Sequence, residues 1–373
     1  MQKALLSLTA AMSVLVALSG CQPKVETPAE SNNTQKAEQN NKQPLSIEQS
    51  KPAVVTEPAI DAKTCLALSK SMQKVGDTSK IEAIYAVQKQ LKACLPTASN
   101  AEVMALLKSY QTMYNRFLQA NDYLEGDSLF EVAEALEKGD KIPSDQLTAM
   151  SPRHQYLVHS IEKGADIRLL HIGEGLFVFQ HNLIATANLF APYSSKAQAA
   201  FIQRMAKDNQ NIFWNDAAVA VPYEEVIERA VFWENYIKTY PNSSFIEDAK
   251  YLFTMYRYVL FFGSDNTDWL NELSREFYEP EHEQLIKKLS QRPNSIIVQD
   301  AQNLLTFMKM SDDERQDRYP VDTTHDEDNS EWAAWSTASK QLEQALSIPS
   351  PWKEENSGHR DCLISVICVD YDY

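Results

Sequence analysis

Apolar residues recur every three or four positions along most of the chain, which is the spacing of one face of an α-helix. The longest such stripe comprises Val103, Leu106, Leu107, Tyr110, Met113, Tyr114, Phe117 and Leu118. A stripe of methionine and aromatic residues is typical of a core-facing helix rather than of a cofactor slot. The same spacing predicts further helices over 81–94, 128–137, 152–161, 195–207 and 222–238.

The stretch 167–179 has a different pattern, with branched and aromatic residues on either side of Gly173-Glu174-Gly175. This pattern predicts a β-hairpin, which must pack on helices because two isolated strands are only marginally stable. The turn lacks the third Gly and the Lys-Ser or Lys-Thr pair of a phosphate-binding loop. Since Gly is scarce, at nine in 373 residues, we predict a mainly α fold of stacked antiparallel helical hairpins with one small β-hairpin.

A near-repeat joins two pairs of predicted helices within a helical domain that spans 58–310. The segments 240–249 and 292–301 share a Pro-Asn-Ser sequence followed by Asp-Ala. Proline ends the incoming helix, Asn or Ser can cap the next one, and Ala allows close helix contact. The unit resembles the joints of tetratricopeptide-like repeats in bacterial outer-membrane lipoproteins, which implies stacked helical hairpins over 226–310. Two independent helix caps of similar chemistry are the alternative.

The N-terminus carries Lys3, an apolar run over 4–16 and the small residues Leu18-Ser19-Gly20 before Cys21. This order is typical of a secretory signal, and the apolar run is too short to span a bilayer. The four residues resemble the lipobox of bacterial lipoproteins. The resemblance implies a signal peptide over 1–20, cleavage before Cys21 and acylation of its thiol. A secreted protein with an unmodified cysteine is the alternative.

The residue after Cys21 is Gln22, not the Asp that favours inner-membrane retention in this family. The resemblance therefore implies a lipid anchor in the outer membrane, with the protein on the periplasmic face; surface display stays open. Residues 21–57 are polar and almost free of aromatics, which predicts a disordered tether. A flexible coil of that length spans roughly 30–35 Å.

Charge and cysteine content narrow the partners and the compartment. A net charge of −16 repels phosphate backbones, so we predict no nucleic-acid partner. Four cysteines besides Cys21 permit three pairings, and an oxidising compartment favours two disulfides. We predict Cys65–Cys94, because these residues lie at similar distances from a helix break at 76–79, and Cys362–Cys368 across a turn. Buried free thiols are the alternative for the first pair.

The C-terminal part divides into two predicted segments. Residues 311–330 are acidic and polar, which predicts a mobile linker. For residues 331–373 we predict a last helix over 331–346 and then an irregular tail, which the second disulfide closes into a loop.

No sequence motif identifies a catalytic residue, a metal site or a cofactor. The chain has no His-Glu-x-x-His, no Gly-x-Ser-x-Gly and no Cys-x-x-Cys, so an enzymatic role is uncertain and less favoured. Aromatic residues crowd the near-repeat, and four of them are candidates to line a groove for a partner: Trp214, Trp233, Tyr256 and Trp269.

These observations favour a membrane-anchored periplasmic binding or scaffold lipoprotein that docks a protein or envelope component. The alternative is a periplasmic hydrolase of cell wall or glycan, which requires two carboxylates about 5 to 10 Å apart in a cleft. A structural envelope protein is the third option. The identity of the partner, the oligomeric state and the orientation at the membrane are left open by the sequence.

Overall fold

Paired helices form most of the protein, which confirms the predicted mainly α fold. A computed structural model describes residues 62–119, 123–126, 128–273, 275–293, 295–322, 331–352 and 360–370. The predicted signal peptide, with Leu18, Ser19, Gly20 and Cys21, and the predicted tether lie outside the described residues. None of the helices described is long and apolar enough to cross a bilayer.

The first group of helices packs around one bridged hairpin. It comprises α1 (Ala62–Gln73), α2 (Ile81–Cys94) and α3 (Asn100–Leu118). A disulfide joins Cys65 to Cys94 with a Cα–Cα distance of 5.6 Å, as predicted for the open end of the α1–α2 hairpin. The predicted apolar stripe of α3 is buried throughout. Ser99 caps the N-terminus of this helix in a capping box. Its side chain accepts a hydrogen bond from the backbone N–H of Glu102, and the Glu102 carboxylate accepts one from the backbone N–H of Ser99.

The predicted hairpin belongs to a three-stranded antiparallel sheet. Its neighbourhood comprises β1 (Leu124–Glu125), α4 (Ser128–Lys138), α5 (Ser144–Ala149), α6 (Pro152–Glu162), β2 (Ile167–Gly173) and β3 (Leu176–His181). The strand order is β1-β3-β2. Helix α3 packs against β3, and α4 and α6 pack against β2. Gly173 has a φ of +112°, and a Cβ there would lie 2.1 Å from Oδ1 of Asn215, so only glycine fits this turn.

Both copies of the near-repeat join a pair of packed helices, as predicted. The elements of this region are α7 (Leu183–Phe190), α8 (Lys196–Asp208), β4 (Trp214–Asn215), β5 (Ala218–Val219), α9 (Tyr223–Thr239), α10 (Ile246–Phe262), β6 (Leu270–Asn271), β7 (Glu276–Phe277), α11 (Pro280–Leu289) and α12 (Ile296–Phe307). The first joint connects α9 to α10 and the second connects α11 to α12.

The two joints differ in their capping. Ser295 caps α12, because its Oγ accepts from the backbone N–H of Val298 at 3.4 Å. In the first joint the capping prediction was wrong. The residue before α10 is Phe245, which makes no side-chain cap. Ser243 instead lies 2.7 Å from the hydroxyl of Tyr236, so this serine links the joint to α9.

The acidic stretch contains a helix, so the prediction of a linker was wrong for its first part. The last elements are α13 (Asp312–Arg318), α14 (Glu331–Leu346), β8 (Arg360–Asp361) and β9 (Val369–Asp370). Ser311 and Glu314 form a capping box, and the acidic first turn suits the positive end of the helix. Arg315 holds α13 to the body: its side chain is 1% exposed, lies 4.0 Å from the Phe307 ring and donates to the carbonyl of Glu272.

The C-terminal tail is held by buried amide side chains of three other elements. Gln180 donates to the carbonyl of Ile364 at 2.7 Å, and Asn209 donates to the carbonyls of Cys362 and Ser365. The backbone N–H of Val366 donates to the Gln111 amide at 3.3 Å. The predicted bridge from Cys362 to Cys368 closes the tail into a loop with a Cα–Cα distance of 4.2 Å. The tail is therefore part of the core of the body.

The described residues contain four small antiparallel sheets, and the predicted hairpin forms part of the first of them. Three of them, β4–β5, β6–β7 and β8–β9, pair only two residues on each strand. Such short strands leave no alternation in the sequence, because two residues are too few to establish a period.

His181, at the end of β3, makes folding sensitive to acid. The side chain is 3% exposed and stacks on Tyr114 at 5.0 Å. Burial, with a smaller contribution from Arg168, lowers the pKa of His181 to about 3. An unfolded histidine titrates near pH 6.5, so between that pH and 3 the unfolded state binds a proton that the folded state excludes.

We expect the contribution of His181 to the free energy of unfolding to be fully present above pH 6.5 and to fall by about 1.4 kcal/mol per pH unit below it. Urea denaturation across that range measures the slope. His181→Phe should flatten it, whereas His159→Phe, at an exposed position, should not. Equal slopes in the wild type and His181→Phe would contradict this assignment.

Candidate functional site

The structure does not bring the four predicted groove residues together on an open surface. Trp233, Tyr256 and Trp269 are 0%, 1% and 8% exposed and belong to the core, so the groove prediction was wrong for them. Trp214 is partly exposed and lies 5.5 Å from the exposed ring of Trp352. The aromatic density of this region fills the space between α9, α10 and their neighbours.

A cleft of about 740 Å³ lies between α4, β2 and the start of α9. We refer to it as the α4–β2 cleft. Its apolar lining comprises Phe130, Ala133, Leu136, Ile161, Ile167, Leu169, Leu170, Phe177, Ile212, Ala220, Val221 and Pro222. Its polar lining comprises Glu134, Glu137, Arg168, His171, Gln210, Asn211, Asn215 and Glu225. A mostly apolar lining with a few polar groups, at this volume, is typical of ligand and peptide clefts.

Three rings form one wall of the cleft. Phe130, on α4, lies 4.9 Å from Phe177 and 4.7 Å from His171. Phe177 is fully buried, whereas Phe130 is 44% exposed although both its neighbours pack against it. Nε2 of His171 is buried and has no hydrogen-bond partner among the described residues. This wall therefore exposes the apolar ring of Phe130 to the cleft and contains one polar atom, Nε2 of His171, without a hydrogen bond.

Arg168 closes the end of the cleft near the loop after α8. Its Nε donates to Oε1 of Gln180 at 2.8 Å, and its two terminal nitrogens donate to the carbonyls of Gln210 and Asn209 at 2.7 and 2.6 Å. All three nitrogens are thus engaged in holding the loop to the sheet. Burial lowers the pKa of Arg168. Its carbonyl partners are uncharged, so no negative charge opposes this shift.

A buried guanidinium fixes the opposite side of the cleft. Arg229 is 0% exposed and binds Glu225 at 2.5 Å, the hydroxyl of Tyr256 at 3.2 Å and the carbonyl of Asp208 at 2.7 Å. Asp208 also pairs with Arg204 at 2.8 Å. Burial raises the pKa of Asp208, and the two guanidinium groups oppose that shift. Glu225 is therefore held at the cleft by a network that joins α8, α9 and α10.

Two of the three carboxylates that line the cleft, those of Glu134 and Glu225, are tied to basic groups. Glu134 binds Lys138, and this pair lowers the pKa of Glu134, whereas a general acid needs a raised value. Glu225 is tied to Arg229. Elsewhere burial raises the pKa of Asp300, which pairs with Arg257 at 2.6 Å in the core. Each of these acids has a structural partner.

Among the residues that the structure describes, one group has ligand atoms close enough to hold a metal ion. Asp248, Cys362 and Cys368 place one such atom each within 4.8 Å of one another. The two sulfur atoms are bonded to each other, so neither is available as a thiolate ligand.

The chain matches no family of proteins, no curated protein and no solved structure.

Sequence reasoning missed the cleft although it predicted the elements that form it. The helix 128–137 and the hairpin 167–179 were both expected, but their side-by-side packing was not. One signal was present: Leu129, Val132 and Ala135 form the buried stripe of α4, and Phe130 lies off that stripe. A large aromatic residue on the solvent face of a short helix indicates an exposed contact residue.

We expect Arg229→Met to lower the free energy of unfolding by about 3–5 kcal/mol, because it leaves Glu225 and the carbonyl of Asp208 without their buried partner. The matched control is Lys250→Met, which removes an exposed pair with Glu247 and should cost less than about 1 kcal/mol. Urea denaturation measures both. Equal losses in the two variants would contradict a structural role for the buried network.

Proposed function

We propose that the protein is a lipid-anchored binding or scaffold protein of the bacterial cell envelope, which docks a partner in the α4–β2 cleft. The observation that carries the docking role is the half-exposed ring of Phe130, fixed by Phe177 and His171 at the wall of an apolar cleft. An exposed aromatic residue that already packs against two neighbouring rings loses less side-chain entropy when it binds a partner. Such residues dominate the binding energy of many interfaces.

The anchoring part of the proposal rests on the leader. The order Leu18-Ser19-Gly20-Cys21 after a short apolar run implies acylation of Cys21 and, with Gln22 next, the outer membrane. More than one acyl chain is needed for durable attachment, since a single chain binds only marginally. Two bonded cysteine pairs in the body support an oxidising compartment such as the periplasm.

The cleft supports docking better than it supports hydrolysis. A glycan hydrolase needs one carboxylic acid with a raised pKa and a second carboxylate across the cleft. In the α4–β2 cleft the pKa of Glu134 is lowered, and Glu225 is bound to a buried guanidinium. The apolar wall is the part that remains open for contact.

We expect Cys21→Ala to move the protein out of the membrane fraction of a Gram-negative host, because the thiol that carries the lipid is gone. A companion variant, in which a cleavable secretory leader without cysteine replaces residues 1–21, controls for retention by an uncleaved signal. Detergent phase partition and immunoblotting of the fractions measure the change. A cysteine-free mature form that still sediments with membranes would contradict the lipid anchor.

We expect a photo-crosslinking amino acid at Phe130 to trap one partner in living cells, because that side chain lies at the cleft wall. The matched control is the same amino acid at Ile296, which is similarly exposed, at 49%, but lies at the start of α12. Mass spectrometry identifies the adduct. Crosslinks that form only between copies of this chain, or equally at both positions, would contradict docking of a partner in the cleft.

A further inference from the structure

The polar residues of the first near-repeat joint, which do not cap α10, line a second pocket. It has a volume of about 480 Å³ and lies between the starts of α3 and α8 and the joint after α9. We refer to it as the joint pocket. Its lining comprises Asn100, Ser195, Ala197, Gln198, Thr239, Tyr240, Pro241, Asn242, Ser243 and Ser244. Apart from Ala197 and Pro241, each of these described residues carries a hydroxyl or a carboxamide, and none carries a charge.

Gln198 holds the polar wall of the joint pocket in place. Its side chain is 6% exposed, and its Oε1 accepts hydrogen bonds from the backbone N–H and the hydroxyl of Ser195 at 3.2 and 3.0 Å. Its Nε2 donates to Oγ of Ser244 at 3.1 Å. The backbone N–H of Ser195 also donates to Oδ1 of Asn100 at 3.1 Å. The protein therefore fixes these groups itself, which lowers the ordering cost of binding a ligand.

Three polar groups of the joint pocket have no hydrogen-bond partner among the described residues. They are Nδ2 of Asn100, the side-chain amide of Asn242 and the hydroxyl of Tyr240. Asn242 is exposed and Tyr240 is half-buried, so both can be reached from solvent. A carboxamide and a phenol together offer donors and acceptors of hydrogen bonds. The pocket can therefore bind a ligand whose own groups both donate and accept.

From this lining we propose that the joint pocket binds a neutral saccharide, with its hydroxyl groups bonded to the free amides and the phenol and one C–H face packed on the Tyr240 ring. Saccharide hydroxyls both donate and accept, as the lining requires. The lining offers no cationic partner to a phosphate or a carboxylate. It also offers little apolar surface to the side chains of a peptide, whereas one aromatic ring suits the apolar face of a sugar. The inference does not depend on docking in the α4–β2 cleft.

The test titrates the purified protein with short oligomers and measures binding by isothermal titration calorimetry. The neutral probes are maltotetraose, cellotetraose and N-acetylchitotetraose. The acidic probe is tetragalacturonic acid, and the peptide probe is a blocked peptide of alternating Gly and Ser. We expect at least one neutral tetrasaccharide to bind at least about tenfold more tightly than the acidic and peptide probes, since the pocket lacks partners for carboxylates and for a peptide backbone without side chains it has no stacking face to offer.

Two pocket variants with matched controls locate the binding. Asn242→Ala removes a free amide, and Asn235→Ala makes the same change at an exposed position of α9 that does not line the pocket. Tyr240→Phe removes only the hydroxyl, and Tyr278→Phe does so on an exposed ring elsewhere. We expect each pocket variant to weaken binding about fivefold, the effect of one net hydrogen bond, and each control to change it less than about twofold. Unchanged thermal unfolding would show that the variants fold.

Three results would overturn the proposal. One is that no neutral tetrasaccharide binds. Another is that the acidic or the peptide probe binds as tightly as the best neutral one, which would reject a neutral saccharide as the ligand. The third is equal binding by the pocket variants and their controls, which would place the saccharide elsewhere on the protein. Failure of the crosslink at Phe130 would reject docking in the α4–β2 cleft and leave these outcomes unchanged, so the two proposals fail separately.

Discussion

The buried guanidinium of Arg229 lies where four parts of the chain meet. It is fully enclosed, and its hydrogen bonds reach Glu225 one turn away, Tyr256 on α10, the carbonyl of Asp208 at the end of α8 and the carbonyl of Asn211 in the loop after it. A charge without water must be paired completely, because an unpaired one costs several kcal/mol. This requirement fixes the spacing of α8, α9 and α10, and through Glu225 it fixes one side of the α4–β2 cleft.

The same principle of complete pairing explains why the C-terminal tail belongs to the body. Gln111, Gln180 and Asn209 are buried amides from three separate parts of the chain, and each would lose a hydrogen bond if the tail were absent. The disulfide between Cys362 and Cys368 holds the tail backbone in the loop that these amides bind. Because buried polar groups need hydrogen-bond partners, these three amides and the tail backbone fix each other's positions.

Three of the four aromatic residues predicted to line a groove are buried instead, because neighbouring side chains pack against them. Trp233 packs 5.1 Å from Phe201 on α8, and Tyr256 packs 4.7 Å from Phe213, while Trp214 lies on a two-residue strand and stays partly open. The sequence indicates that these apolar rings favour burial, but it does not identify the residues that pack against them. The aromatic ring exposed at the cleft is instead that of Phe130. Its position off the buried stripe of α4 can be read from the sequence, whereas the cleft beside it cannot.

The amino-acid sequence alone determined the helical class, the hairpin over 167–179, the helix pairs at both Pro-Asn-Ser joints and the two disulfide pairings. Each follows from local spacing or from a short separation along the chain. Tertiary structure decided four further features. These are the helix within the acidic stretch, which Arg315 holds against Phe307; the two-residue strands; the buried amides that bind the tail; and the α4–β2 cleft. The two-residue strands are too short to establish a period, and the other features depend on contacts between residues far apart in the chain, which leave no periodic signal in a single sequence.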